Sequence, residues 1–132
     1  VKGKCSQDSF VGHIGGDDFV FITDPPSMED VCRDLIDAFD RIIPTFYDPA
    51  DRKAGFVQSH DREGHTKTFP FLTITIGVVN ATGLPFSHYG EVTEIASEMK
   101  RYAKRTPASC YSVNRRSFRT QKNTEGPWTR NT

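Results

Sequence analysis

The 132-residue sequence predicts an α+β domain, with an antiparallel-rich sheet and helices packed on it. Three observations carry that expectation. Two strand-like runs flank Gly15-Gly16-Asp17-Asp18. Two longer stretches repeat apolar residues at helical spacing. Within residues 69–79, apolar and polar side chains alternate. Read along the chain, the order is β-β-α-β-β-α-β.

Residues 10–14 and 19–23 are rich in β-branched and aromatic side chains, and the Gly-Gly-Asp-Asp between them reads as a hairpin turn. The segment "DPPS" ends the second strand, and Ser27 is a good N-cap for a helix beginning at Met28. Met28, Val31, Cys32, Leu35, Ile36, Phe39, Ile42 and Ile43 form one apolar stripe, so a helix is expected over 28–43, stopped by Pro44. Residues 45–68 are polar and turn-rich, with a short strand at 55–59. That strand is expected to pair with 69–79 in a second hairpin, whose loop holds Asp61, Arg62, Glu63 and Gly64. In the longer strand Leu72, Ile74, Ile76 and Val78 share one face, with Thr73 and Thr75 on the other. A second amphipathic helix covers 89–105, with Val92, Ile95, Ala96, Met99, Tyr102 and Ala103 inward. Pro107 ends it, and residues 109–114 form a short last strand.

Acids and bases balance at 17 each, but unevenly: residues 1–99 hold 16 acids and 8 bases, residues 100–132 hold 1 acid and 9 bases. The bases of residues 115–132 are dispersed among few aromatic residues, so this segment is expected to be a flexible basic tail and nucleic acid is not expected as a partner. No apolar run approaches the roughly 20 residues of a spanning helix, so direct membrane insertion is not expected. Cys5, Cys32 and Cys110 are far apart with no CxxC pair, which fits reduced thiols and a cytoplasmic location. His13, His60, His65 and His88 match no zinc spacing. A lone Trp128 near the end of the tail says little about a partner.

A turn needs one Asp and one Gly; the second acid is surplus to it. Glycines without side chains let a phosphate or ribose approach the main chain. Two carboxylates offer hard oxygen ligands of the kind Mg²⁺ takes together with phosphate oxygens. From these residues alone, a nucleotide site and a hydrated hairpin are both open readings.

At these residues the chain resembles a known family. "GGDDF" between two apolar strands is similar to the signature of GGDEF domains, the diguanylate cyclases that condense two GTP into cyclic di-GMP. Thr75-Ile76-Gly77 is similar to the family's later Ser-Ile-Gly strand. "IASEMKRYAK" resembles its final helix, with Ala96, Ala103 and Lys104 in pattern and Ser97 in place of an Asp. The resemblance spans roughly residues 8–114. It implies a nucleotidyl-cyclase-like, ferredoxin-like palm, with Gly15 and Gly16 against the nucleotide and Lys104 on the triphosphate. It further implies Mg²⁺ (or Mn²⁺) at Asp17 and Asp18, with Asp18 also activating the 3′-hydroxyl as the catalytic carboxylate. Phe19 would lie in the core.

The pattern is not complete. Asp18 stands where the family has Glu, one methylene shorter and so drawn back by about 1.5 Å, a misplacement that costs catalysis on the order of 100-fold. His13 replaces an Arg that often precedes the signature. Lys4 and Cys5 fall where the family's inhibitory Arg-x-x-Asp product site would begin, and the Arg usually found shortly after Lys104 is missing, with Arg105 its nearest substitute. The family's first strand and two guanine-reading helices would precede Val1. Residues 1–114 are therefore expected to be the C-terminal two-thirds of such a domain and 115–132 its tail. The function implied is that of a bacterial signalling domain whose parent makes cyclic di-GMP and can be membrane-tethered through other domains. The alternative is a degenerate domain that binds guanine nucleotide or a protein partner and regulates a neighbouring domain. The 132-residue chain alone is expected to be inactive. It is also expected to associate with the preceding part of the domain or with itself, as a homodimer or strand-exchanged assembly.

Overall fold

The structure, a computed structural model, describes residues 9–83 and 85–115. Cys5, Trp128 and all but Arg115 of the expected tail lie outside the described residues. The fold is α+β. Strands β1 (Phe10–Gly15) and β2 (Asp18–Ile22) form an antiparallel hairpin, followed by helix α1 (Met28–Ile42). A short helix α2 (Pro49–Ala54) leads into a second antiparallel hairpin, β3 (Val57–His60) and β4 (Thr66–Phe69). Strand β5 (Thr75–Val78), helix α3 (Tyr89–Ala103) and strand β6 (Cys110–Val113) complete it, with β5 and β6 parallel. Among the described residues the strands make three separate two-stranded sheets rather than one.

The core sits on one face of the parallel pair. Along β5 successive side chains point to opposite faces. Ile76 and Val78 turn toward α1, where Cys32 is fully buried, and Met28, Leu35, Ile36, Ile74, Tyr111, Val113 and Phe21 pack around them. Burying a side chain of this size is worth about 1.5–3 kcal/mol. Gly77 faces the other way, toward α3. A Cβ there would lie 2.8 Å from the Lys100 backbone nitrogen and press on the Ala96 carbonyl oxygen. The absence of that side chain is what lets α3 lie directly on β5. The entrances of these elements are tied by Ser109, whose hydroxyl accepts from the Ile74 amide at 3.1 Å and donates to the Asp40 carboxylate at the end of α1.

Several expectations are corrected. The α1 stripe is there, but the α-helix ends at Ile42 and tightens into a 3₁₀ turn, Ile43–Phe46, that contains Pro44. Proline fits the first turn of a helix, where no N–H bond is needed, so it starts this turn instead of ending the structure. Ser27 occupies the N-cap position of α1 without capping; its hydroxyl donates back to Asp24 at 2.9 Å. The stretch 45–68 holds α2, begun by Asp48-Pro49 and ended by Gly55.

The partner of β3 is β4, in register from Val57↔Phe69 to His60↔Thr66, and not a strand spanning 69–79. Pro70 follows β4 directly and lacks the N–H a ladder needs, so the run is cut and β5 starts afresh at Thr75. Leu72 consequently lies exposed. Tyr102 is also exposed instead of inward, with the Arg105 guanidinium over its ring at 5.5 Å. Phe19 is 69% exposed and not in the core; it pairs across the hairpin with His13, ring centroids 4.7 Å apart, and on that face of β2 it is Phe21, two residues on, that reaches the core.

Candidate functional site

The tip of the first hairpin is built by its glycines. Gly15 pairs with Asp18, leaving Gly16 and Asp17 as the two central residues of the turn. Gly16 has φ +58°, while Asp17 keeps a negative φ, the sign pattern of a type II′ turn with glycine at its first central position. Ile14 stands out of register between the His13↔Phe19 and Gly15↔Asp18 pairs, a bulge that adds local twist. His13 Nε2 donates to the Gly16 carbonyl oxygen at 2.9 Å, so Nε2 carries the proton and the ring braces the turn from below. A Cβ on Gly15 or Gly16 would meet no atom within 4 Å, so the tip faces open space that a ligand can enter.

Asp17 and Asp18 are both exposed. Asp18 is engaged nonetheless: its carboxylate accepts from the Lys100 ammonium in an ion pair between residues far apart in the chain. The Lys100 hydrogen bond, then the Lys100 charge, and to a smaller degree the Lys104 charge hold the Asp18 carboxyl below its ordinary range. Lys100 reaches the tip because Gly77 seats α3 tightly on β5, with the Lys100 Cγ lying along the glycine.

Around Lys100 the helix presents one face. Ser97, Lys100, Arg101 and Lys104, spaced i, i+3, i+4 and i+7, line an open cleft of about 250 Å³. Lys100 and Arg101 occupy the last turn of α3 and Lys104 its C-cap, where the partial negative charge of the helix end favours cations. Three cations and a hydroxyl suit an anionic, phosphate-like ligand.

The predicted residues therefore divide. Gly15, Gly16, Asp17 and Asp18 share the tip. Lys104 lies on the α3 cleft and acts on Asp18 through its charge, while the closest link between tip and helix is Lys100. Sequence reading missed Lys100 and Arg101, and took Ser97 only as a departure from the family's pattern. The signal was present in the i, i+3, i+4, i+7 spacing back from Lys104, but nothing local tied it to the hairpin.

For a divalent cation the arrangement does not fit as it stands. Mg²⁺ needs carboxylate oxygens open to it, and Asp18 presents one to an ammonium instead. Among the described residues no group of three or more His, Cys, Asp or Glu side chains could hold a metal ion.

Two of the histidines outside the tip, His65 and His88, have local duties. His65 approaches Asp61 at 3.2 Å inside the β3–β4 loop, where Asp61 Oδ1 also accepts from the Glu63 and His65 amides. His88 caps α3 by accepting from the Gly90 amide at 3.1 Å. No family model, no curated protein and no solved structure matches the chain.

Proposed function

We propose that this chain is a degenerate signalling domain of the diguanylate cyclase family, which holds GTP by its phosphates between the first hairpin and α3 and regulates a neighbouring domain. One observation carries the reading: the two segments that resemble the family, "GGDDF" and the helix ending in Ala103-Lys104, meet through the Asp18–Lys100 pair. Physical reasoning from the residues leads the same way. The glycines at the tip leave the main chain open to a phosphate or ribose. Lys104 and Arg101 neutralise phosphate charge, and the Ser97 hydroxyl donates to a phosphate oxygen.

Binding is favoured over catalysis because of Asp18. It is a methylene shorter than the family's Glu, and its carboxylate is already engaged by an ammonium, so it is poorly placed to activate a hydroxyl. The second reading, cyclic di-GMP synthesis by a larger parent, is favoured by the exposed Asp17 carboxylate on an intact Gly-Gly turn.

The test is calorimetric titration of the chain with GTP, together with an assay for cyclic di-GMP. Saturable GTP binding is expected, weakened about tenfold by Lys104→Ala and by Arg101→Ala, as for loss of one charge-assisted hydrogen bond. No product should form. Absence of GTP binding, or affinities unmoved by both substitutions, would overturn the reading; cyclic di-GMP formed by the chain alone would establish the second one.

A further inference from the structure

The two hairpins treat their edges differently. The β3–β4 hairpin carries Lys67 on a strand and Asp61, Arg62 and Glu63 in its loop, charges that discourage an open edge from pairing. From Phe10 to Gly15 strand β1 has no charged residue and no proline. Phe10 is 55% and Val11 68% exposed, and among the described residues no further strand pairs with β1. The hairpin meets the body through β2, by Phe21 in the core and Asp18 on Lys100, which leaves β1 as the outer edge. Its one irregularity, the bulge at Ile14, lies toward the tip, and Phe10 to His13 stay in regular register. Gly12 shapes this edge. A Cβ there would lie 2.9 Å from Cε1 of Phe10 and 3.3 Å from Cγ1 of Val20, so the Phe10 ring lies over the glycine.

We propose that β1 is a homodimer seam, along which two copies pair antiparallel about Val11 and join their hairpins into one four-stranded sheet. Side chains alternate along a strand, and opposed residues across a twofold seam share a face, so the axis must pass through a residue. Centred on Val11, the seam sets Phe10 of each copy against Gly12 of the other and Val11 against itself, clear of the bulge. The two Phe10 rings then lie side by side over the two glycines, where a side chain at position 12 would stop them. On the face of Val11, the Phe19 ring backs His13 beside the seam. Antiparallel pairing also points the two tips in opposite directions, so the Asp17 and Asp18 carboxylates of the copies do not meet. Segments of the same chain fit the edge less well. Residues 1–8 hold Lys2, Lys4 and Asp8, with Val1 as their one branched aliphatic side chain. Residues 116–132 hold Phe118 and Trp128 among five charged residues and no aliphatic one. A second β1 brings the uncharged apolar edge that this one needs. Side chains this exposed leave roughly 100 Å² each open, so the pairing buries less than about 1,200 Å² in total, the size of a weak and reversible interface.

The test uses the full chain without nucleotide, so it stands apart from the reading of the tip as a GTP site. Sedimentation velocity up to about 1 mM should show a reversible monomer–dimer equilibrium, half-converted at about 10 µM or above, as suits a small interface. Val11→Lys, with Val11→Glu as a second variant, should weaken the dimer about tenfold or more, because each puts an unpaired charge in the seam. Val11 is exposed, so the dilute variants should keep the thermal midpoint of the unaltered chain. Leu72→Lys, at an exposed apolar residue far from β1 in sequence, should leave the dimer as it is. In a mixture of carbon-13-labelled and unlabelled chain, isotope-filtered NMR should show the Val11 methyls of the two copies in contact. A monomer throughout, a dimer unmoved by both Val11 variants, or one dissolved by Leu72→Lys would each overturn the proposal. So would a dimer without the Val11–Val11 contact, whatever the variants do.

Discussion

The first hairpin and the body that α1, β5, β6 and α3 form are made from similar residues and end up in opposite states. In the body, Ile76 and Val78 are buried against a fully enclosed Cys32. In the hairpin Phe10, Val11, Ile14, Phe19 and Ile22 are all exposed, and only Phe21 joins the core. The body gains its stability from packing two helices on the two faces of one parallel pair. The hairpin has its own ladder, one anchoring ring and the Lys100 bridge. Its tip is therefore held at arm's length from the core, in keeping with the ligand site proposed for it.

Cutting into the body should have the greatest consequence. Ile76→Ala should cost about 2–5 kcal/mol, the usual range for emptying a core site. Ile14→Ala on the hairpin should stay within about 0.5 kcal/mol, as for surface positions generally. Chemical denaturation of the two variants measures both, and equal losses would show that the hairpin is packed after all.

A second test asks what the hairpin's apolar faces meet. Among the described residues neither β1 nor β2 pairs with a further strand, so both edges are open for pairing with another copy. Fully covering Val11 and Phe19 would contribute about 1.5–3 kcal/mol each before ordering costs. Sedimentation velocity should show a dimer that Phe19→Lys returns to monomer; a monomer at all concentrations would rule out self-association through this hairpin.

Next in size is Gly77→Ala. The added methyl pushes on the α3 backbone and should cost about 1–3 kcal/mol, as overpacking does. It should also loosen Lys100 from Asp18, because the glycine sets the height of the helix over the strand. A variant that is destabilised yet keeps the Lys100 NMR signal unchanged would separate the two roles.

A weaker effect concerns pH. The Asp18 carboxyl is held below the ordinary value of 3.8, so the pair's contribution to stability is present above that pH and is lost as pH falls through the lower folded value. Asp18→Asn should lower the thermal midpoint slightly at neutral pH, and the difference should shrink as pH falls below the ordinary carboxylate value. A difference that persists there would mean that the side chain acts other than by charge.

What could be read from the sequence depended on the reach of each signal. The stripe from Met28 to Ile43 is a local pattern, and the helix lies where the pattern puts it, one residue shorter at its C-terminal end. The Gly-Gly-Asp-Asp turn needs only its neighbours, and it forms the hairpin tip. Helix α2 spans six residues, too few to show a period, although Asp48-Pro49 and Gly55 mark both its ends. The break at Pro70 was visible as a residue that cannot donate to a ladder, but the alternation after it drew the strand too long. The parallel pairing of β5 with β6 and the Lys100 bridge join segments tens of residues apart, and no local pattern carries such a contact.

If the hairpin tip and the α3 cleft act as one site, a single ligand must be felt by both. Backbone NMR of the full chain titrated with GTP can decide this. The amides of Gly16, Asp17 and Asp18 and those of Arg101 and Lys104 should shift together, with one saturation curve. Shifts confined to one of the two groups, or two curves with different midpoints, would refute the single site.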